Sequence, residues 1–509
     1  MVSRLWRYLL SLLSGLINFA FPRPKRGEPF AIKPYLQLGE SAKRGNSETY
    51  KLIWHSEYQL SDWQVEQSGN DGKSWSSAVV LPESRRVKLP YVGEVWQHQA
   101  LLTGLSPGRA FHYRFSFDGK LVFTAGSQAL KTAAQSFRTI VVGDVGDGSN
   151  DSKAVAAQMF LQHPELMVIA GDIVYERGRI EEYIERFFPV YNNDLAHSSA
   201  GAPILRSILC VGAAGNHDMG IPSRENVSDP AIWKDLGGFF EFWSQPGNGP
   251  GPDWGSRNAA NRIDEPAIFR RGKEEFYRVT NFSFDNGNAH WLILDGNMYM
   301  DWSDSALRQW VEKDLSAASE STWKFVVFHQ PPFTCDLKYI NEQRMRLLCQ
   351  IFERHGVDVV FSGHCHLYER TFPLRYVVHP REDGKPLSPE GKVDGRYTLD
   401  QKWDGSAAMS PEGVIYITTG SGGKHLGKDH IVEHFNLPAW TAKLVDDRRS
   451  FTLLQGEGTR LLLQQLGVNG EVLDSFVLDK SKARQAAGDD GSPASSQGGA
   501  GGSSITGPG

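Results

Sequence analysis

Short apolar runs recur from residue 137 onward, and each releases a polar side chain as it ends. Thr139-Ile-Val-Val142 runs into Gly143-Asp144. Leu166-Met-Val-Ile-Ala170 runs into Gly171-Asp172, with Tyr175 three residues on. Ile208-Leu-Cys-Val211 precedes Gly215-Asn216-His217-Asp218. Phe325-Val-Val-Phe328 ends at His329, and Val357-Asp-Val-Val-Phe361 leads to Gly363-His364-Cys365-His366. Such runs, bounded by turn residues, read as buried strands. Helical periodicity falls between them. A helix is expected over 151–162. Another over 341–355 carries Met345, Leu348, Cys349 and Phe352 at i, i+3, i+4 and i+7, with Gly356 as its C-cap. This alternation predicts an α/β core, in which ligand sites lie at the carboxyl ends of the strands.

The flanking regions read differently. Residues from about 30 to 132 alternate in short strands, as in Tyr50-Lys-Leu-Ile-Trp-His55 and Trp63-Gln-Val-Glu-Gln67, with Ser68-Gly-Asn-Asp-Gly72 as a turn. Trp54 and Tyr113 read as core residues there, with sugar stacking as the alternative. Between Gly220 and Lys273 the pattern dissolves. Trp254 in that stretch is a candidate contact at a substrate entrance, against a plain surface insertion. A polar insertion spans Pro380 to Asp404. Another strand, Gly413 to Gly420, leads to Ser421-Gly-Gly-Lys-His425, and Thr459 to Val477 reads as a hairpin around Asn469-Gly470. The end of the chain, 481–509, is Gly-, Ser- and Ala-rich and reads as disordered.

Composition narrows the class. At 509 residues, with 40% hydrophobic and 22% charged residues, two or more globular domains are expected. A net charge of −5 leaves no basic footprint for nucleic acid as a general partner. Four widely spaced cysteines are no disulfide framework, although a Cys335–Cys349 bridge stays open. Arg4 and Arg7 precede an uncharged stretch over residues 8–22, shorter than the roughly 20 residues of a membrane span. It matches the apolar region of a secretory signal, so the expected location is secreted or periplasmic. Asn18-Phe-Ala20 is a poor cleavage site, and Arg23, Lys25 and Arg26 follow at once. Membrane association through residues 8–22 is therefore the alternative.

The ejected side chains form a chemically coherent set. Asp144 and Asp172 offer hard oxygen, Asn216 an amide oxygen, His329, His364 and His366 imidazole nitrogen, and Tyr175 a phenol. Mixed nitrogen and oxygen donors suit zinc, iron or manganese and argue against calcium. A thiolate site is disfavoured because Cys365 points away from both flanking histidines in an extended segment. Each residue has a plainer reading by itself: Asp144 as the cap of the helix near Asn150, His329 as a buried histidine. Together the plain readings require coincidence at every strand end.

The ordered set Gly-Asp-x-Gly, Gly-Asp-x-x-Tyr, Gly-Asn-His-Asp, Val-x-x-His and Gly-His-x-His resembles the calcineurin-like metallophosphoesterases. Tyr175 and the continuation Leu367-Tyr368-Glu369-Arg370 narrow the resemblance to the purple acid phosphatase branch, over about Pro34 to Lys480. It implies a sandwich of two mixed β-sheets flanked by helices, preceded by a fibronectin III-like all-β domain. The implied division is 1–29 as a signal or membrane-associated segment, 30–134 as the β-sandwich, 135–480 as the catalytic domain and 481–509 as the tail. It further implies a binuclear centre. Asp144, Tyr175 and His366 would hold Fe(III); Asn216, His329 and His364 would hold Zn, Fe or Mn(II); Asp172 would bridge. His217 would face the substrate as hydrogen-bond donor or general acid. The implied reaction is hydrolysis of a phosphate monoester by a hydroxide nucleophile. A phosphodiesterase, or a binding or adhesion protein with a structural metal site, is the alternative. Members often carry histidines about ten residues after the Val-x-x-His ligand. This chain has none there, so either Lys338 or Tyr339 is the substitute or nothing takes that place. Lys338, Tyr368 and Arg370 are candidate substrate contacts.

Overall fold

Alternation along the strands explains why both of their faces are apolar. In the computed structural model, Phe137–Val142, Leu166–Ile169 and Leu209–Gly212 pair in parallel, as do Ala289–Ile293, Trp323–Val327, Val359–Ser362 and Ile415–Thr419. Val141, Val168 and Val211 point into one buried cluster, together with Phe325, Val327 and Phe361 from the second group. Their neighbours Ile140, Ile169, Cys210, Val326 and Val360 point the opposite way, into a cluster with helix residues Val155, Met159 and Phe352. One face thus packs sheet on sheet and the other lies under helices. Burying each Val, Leu or Ile contributes about 1.5–3 kcal/mol, and a one-residue slip would exchange the two faces, so the register is fixed.

The structure describes residues 28–40, 42, 45–90, 92–220, 237–250, 278–427, 431 and 436–481. The segment 8–22, Trp254 and the tail from 482 on lie outside the described residues. Among the described residues, no helix is long and apolar enough to cross a membrane.

Both central sheets are mixed. The six-stranded sheet continues from Phe137–Val142 through antiparallel Ser450–Glu457, Arg460–Gly467 and Val472–Asp479. The last two strands are the hairpin read around Asn469-Gly470. The seven-stranded sheet adds Phe282–Asn286, Tyr368–Thr371 and Thr441–Val445 in antiparallel pairings. Ahead of them, residues 32–128 form a five-stranded and a four-stranded sheet. These close over Trp54, Trp63, Tyr113 and Phe115, with Trp54 and Phe115 centroids 5.0 Å apart. Trp54 and Tyr113 are fully buried, which leaves no face for a sugar. The Tyr113 hydroxyl donates to the Arg206 carbonyl at 2.8 Å and ties this part to the α/β core.

Two alternatives are closed and one local expectation is corrected. Helix Asn150–Phe160 is capped by Ser149, whose hydroxyl accepts from Ser152 N at 3.2 Å, so Asp144 is not its cap. The helix expected over 341–355 is split into a 3-10 turn, Arg344–Leu348, and a short α-helix, Cys349–Arg354. Its start is drawn into other contacts: Gln343 N donates to Gly391 O at 3.2 Å, and Arg346 Nε to Pro332 O at 2.6 Å. Met345, Leu348, Cys349 and Phe352 are nevertheless all fully buried. No Cys335–Cys349 bridge forms. Cys349 accepts from the Tyr416 hydroxyl at 3.1 Å, whereas Cys335 packs with Cys365 and Leu367.

One buried charge sets a pH dependence. The His290 ring lies between two carboxylates, with Nδ1 2.8 Å from Asp285 and Nε2 2.9 Å from Asp314. Burial alone would lower its pKa, but the bonded carboxylates push it up to about 9 from an ordinary 6.5. The folded value is the raised one, so this contribution is complete below the unfolded pKa and is lost as pH rises through about 9. The gap corresponds to about 3 kcal/mol. Urea unfolding at about pH 6 and about pH 10 should show this loss in the wild type and not in His290→Gln. Parallel pH profiles for the two proteins would show that the imidazolium contributes nothing.

Candidate metal centre

The donors converge because the two sheets present their strand ends to one another. Asp144, Asp172 and Asn216 follow Phe137–Val142, Leu166–Ile169 and Leu209–Gly212 in one sheet. His329 follows Trp323–Val327 in the other, and His364 and His366 follow Val359–Ser362. Asp144, Asp172 and His364 turn with φ of 63°, 51° and 71°. This left-handed region costs a residue with a Cβ roughly 1–2 kcal/mol. Backbone bonds across the loops hold it: Asp144 N donates to Gly171 O at 3.0 Å, and His364 N to Asp144 Oδ2 at 2.9 Å. Gly215 allows a close approach, since a Cβ there would lie 2.2 Å from both N and Oδ1 of Asp172.

Ligand-capable atoms of Asp144, Asp172 and His329 all lie within 4.8 Å of one another. On one side, the Tyr175 hydroxyl is 2.7 Å from Asp144 Oδ1 and 3.3 Å from His366 Nε2. On the other, Asn216 Oδ1 is 3.1 Å from His329 Nε2 and 2.9 Å from His364 Nδ1. Asp172 lies between them, with Oδ2 3.2 Å from His329 Nε2. Backbone carbonyls fix two of the rings from behind. Ala170 O accepts from His329 Nδ1 at 2.8 Å, and His425 O from His366 Nδ1 at 2.9 Å. Outer partners of this kind fix the tautomer of a metal-binding histidine. Asp218 sits beneath, accepting from Gly215 N and Ile173 N, each at 2.9 Å.

Electrostatics favour a cation here. Asp144 and Asp172 are almost completely buried, and among the described residues neither pairs with Lys or Arg. Burial works to raise the Asp172 pKa, but the charges of His329, His217 and His364 outweigh it and hold the carboxyl far below the usual range. For His329, burial pulls down and the Asp172 and Asp144 carboxylates push up, to about 10. Burial, then the neighbouring Asp172 charge, lifts Asp218 to about 7. Two buried carboxylates among imidazoles are a donor set that two cations fit, each replacing protons on its ligands.

His217 stands beside the cage. Its amide donates to Asp172 Oδ1 at 2.9 Å, its Nδ1 donates to Glu176 O at 2.7 Å, and its Nε2 is 3.9 Å from Asp172 Oδ2. Two of the three candidate substrate contacts, Tyr368 and Arg370, are turned away from the site. Tyr368 and Arg370 both bond to Asp474 of the other sheet, at 2.8 and 2.6 Å. Two apart on one strand, they share a face, and that face is turned into the sandwich. Lys338 is exposed, its ammonium 4.7 Å above the Tyr339 ring. Tyr339 is the residue against the cage, its ring 3.9 Å from that of His364. Glu342 Oε2, 3.4 Å from His364 Nε2, is missed by sequence reading, and so is Glu176. Lys424 belongs to the glycine-rich stretch Ser421 to His425, which the family resemblance places near the site, and Tyr339 stands in place of the absent histidine.

Comparison with known proteins agrees with this geometry. The family model "Calcineurin-like phosphoesterase" matches residues 137–368, a span that contains every donor above. "Iron/zinc purple acid phosphatase-like protein C" matches residues 413–475. Purple acid phosphatase 23 of Arabidopsis thaliana is 23% identical over 350 residues, covering 64% of this chain and 62% of that protein. Probable inactive purple acid phosphatase 27 of the same plant is 24% identical over 412 residues, covering 75% and 57%. The chain thus spans about three fifths of the length of these two relatives. In structure it is similar to purple acid phosphatase PPD1 of yellow lupin, Lupinus luteus, at a TM-score of 0.62 and 18% identity, over 92% of this chain and 78% of that one. A structure of PhoD matches at a TM-score of 0.53 and 11% identity, over 90% and 92%. At these identities the two structures speak for the fold alone. With both family models in chain order across the two sheets, the chain carries a calcineurin-like phosphoesterase domain over residues 137–368 and an iron/zinc purple acid phosphatase-like C-terminal domain over residues 413–475.

Proposed function

We propose that the protein is a binuclear metal-dependent phosphoesterase that hydrolyses phosphate monoesters. The observation that carries this is the set of Asp144, Asp172 and His329 donor atoms within 4.8 Å, flanked by Tyr175 and His366 on one side and Asn216 and His364 on the other. In this reading Asp144, Tyr175 and His366 hold Fe(III), Asn216, His329 and His364 hold Zn, Fe or Mn(II), and Asp172 bridges. An Arabidopsis relative, 29% identical over 125 residues, is named Fe(3+)-Zn(2+) purple acid phosphatase 12, which favours iron with zinc. When bound, two cations would supply Lewis acidity to phosphoryl oxygens and lower the pKa of water to about 7. The chain supplies the rest. Glu176 O holds His217 Nδ1, which turns Nε2 toward the Asp172 side to donate to a phosphoryl or leaving oxygen. Metal analysis with hydrolysis of an aryl phosphate after iron and zinc supply tests the reading. Turnover of a bis-aryl diester in preference to the monoester would replace it with a phosphodiesterase.

Tyr175 gives an optical test. The iron-loaded, oxidised protein should absorb visible light through phenolate-to-iron charge transfer, and Tyr175→Phe should bleach it without loss of fold. A colourless wild type holding two zinc ions would discard the iron assignment and leave the hydrolase standing.

A second reading is a non-catalytic binding protein, favoured by the printed name of one relative, Probable inactive purple acid phosphatase 27. The full donor set of this chain weighs against it. Metal-loaded protein without turnover on any phosphate ester would turn the balance. For residues 30–134 we propose the fibronectin III-like assignment, supported by two antiparallel sheets packed over tryptophans. For residues 135–480 we propose a single catalytic unit. The apolar stretch 8–22 supports export as the proposed location.

A further inference from the structure

The loop after strand Ile415–Thr419 is tied to the donor loops by its backbone. Gly422 N donates to Gly143 O at 3.1 Å, Lys424 N to Asp144 O at 3.0 Å, and Gly427 N to His366 O at 3.3 Å. This holds the Lys424 main chain at the rim of the cage. Its ammonium lies 4.3 Å from the Tyr175 ring centroid and bonds to the Glu176 carboxylate, across the mouth between two loops. The second Glu176 oxygen is 3.7 Å from His217 Nδ1. Arg186 donates to Tyr175 O at 2.6 Å and adds positive charge to the same wall, whereas Arg449, which bonds to Lys424 O, is paired with Asp151 at 2.8 Å.

The two partners of the ion pair differ in kind. The Lys424 side chain is 14% exposed and fixed against an aromatic ring, whereas that of Glu176 is 53% exposed. A largely buried ammonium needs an anion. A carboxylate that is half exposed regains hydration on returning to water, and an incoming anion keeps the ammonium paired. The wall is therefore a permanent cationic seat, and its present anion is exchangeable.

Resting on the phosphoesterase reading, we propose that Lys424 is a substrate-binding residue. It receives a second anionic group, carried by the ester beside its phosphoryl group, and Glu176 fills that place in the free protein. The preferred substrates are phosphate esters with a carboxylate or second phosphate near the ester bond, rather than esters of neutral alcohols.

The test is calorimetric titration of the metal-loaded full chain with three probes. These are ethylphosphonate, which is neutral beyond its phosphonate, phosphonoacetate, which adds a carboxylate, and methylenediphosphonate, which adds a second phosphoryl group. At least one of the last two should bind about tenfold or more tightly than ethylphosphonate, in line with a hydrogen bond between charged groups. Whichever gains identifies the second group. Lys424→Met should abolish the difference. Glu176→Gln, a change at an exposed side chain that also guards against a misfolded Lys424 variant, should raise affinity for the favoured anionic probe. Equal binding of all three probes overturns the proposal. So does a preference that survives Lys424→Met, which would come from metal chelation, or an unchanged or weaker affinity in Glu176→Gln. A Lys424-dependent preference without turnover of any phosphate ester would reject the phosphoesterase reading and keep the anion seat.

Discussion

His217→Ala is expected to retain both metals and lose about 10²–10⁴ in kcat, the usual worth of a positioned acid or base. Its Nδ1 is held by Glu176 O at 2.7 Å, away from the cage, and its Nε2 stands 3.9 Å from Asp172. Its neighbour should behave in the opposite way. Asn216 Oδ1 sits between His329 Nε2 and His364 Nδ1, at 3.1 and 2.9 Å. Asn216→Ala should lower occupancy of the divalent position, and excess metal should restore part of the activity. Added metal should do nothing for His217→Ala. Metal content measured beside kcat separates the two roles. Metal loss in His217→Ala with full occupancy in Asn216→Ala would reverse them.

Gly215→Ala should damage the site and the fold together. The new Cβ would lie 2.2 Å from Asp172 N and from Asp172 Oδ1, contacts that no side-chain rotation at Asp172 can wholly relieve, because one of them is backbone. The loop cannot simply retreat either, since Gly215 N is bonded to Asp218. Overpacking of this kind costs about 1–3 kcal/mol or more. Displacing the bridging carboxylate should also remove both metals. Gly69→Ala meets open space on a turn of the amino-terminal sheets and serves as the near-neutral control. Melting temperature and metal content are the readouts. A Gly215→Ala protein with wild-type values for both would mean that Asp172 is not pinned by this turn.

The sequence reveals the cage because every donor is encoded locally, by an apolar strand and the two to six residues after it. Alternation of Ile140 and Val142 against Val141 is likewise readable without knowing any partner strand. What escapes reading is set by pairs far apart in the chain. Glu176 and Lys424 meet across 248 positions, and no local pattern encodes their pairing. Tyr368 and Arg370 are misread as substrate contacts because they follow the last ligand in sequence. The strand carries them back between the sheets, where Asp474 holds both. Tyr339 and Lys338 are adjacent, and only the turn of the loop decides which of them reaches His364.

The strand order of the six-stranded sheet matters for how the chain can be handled. Phe137–Val142 has Leu166–Ile169 on one side and Ser450–Glu457 on the other, pairing Thr139 with Leu454. Any shortened chain that ends ahead of residue 450 leaves Phe-Arg-Thr-Ile-Val-Val with an open edge, although every ligand loop is present. An unpaired apolar edge is a template for another chain. Truncation to the donor-bearing segment should therefore yield aggregates rather than a minimal enzyme. The same vulnerability exists while the protein is being synthesised, since the last antiparallel strands must emerge before that edge is covered.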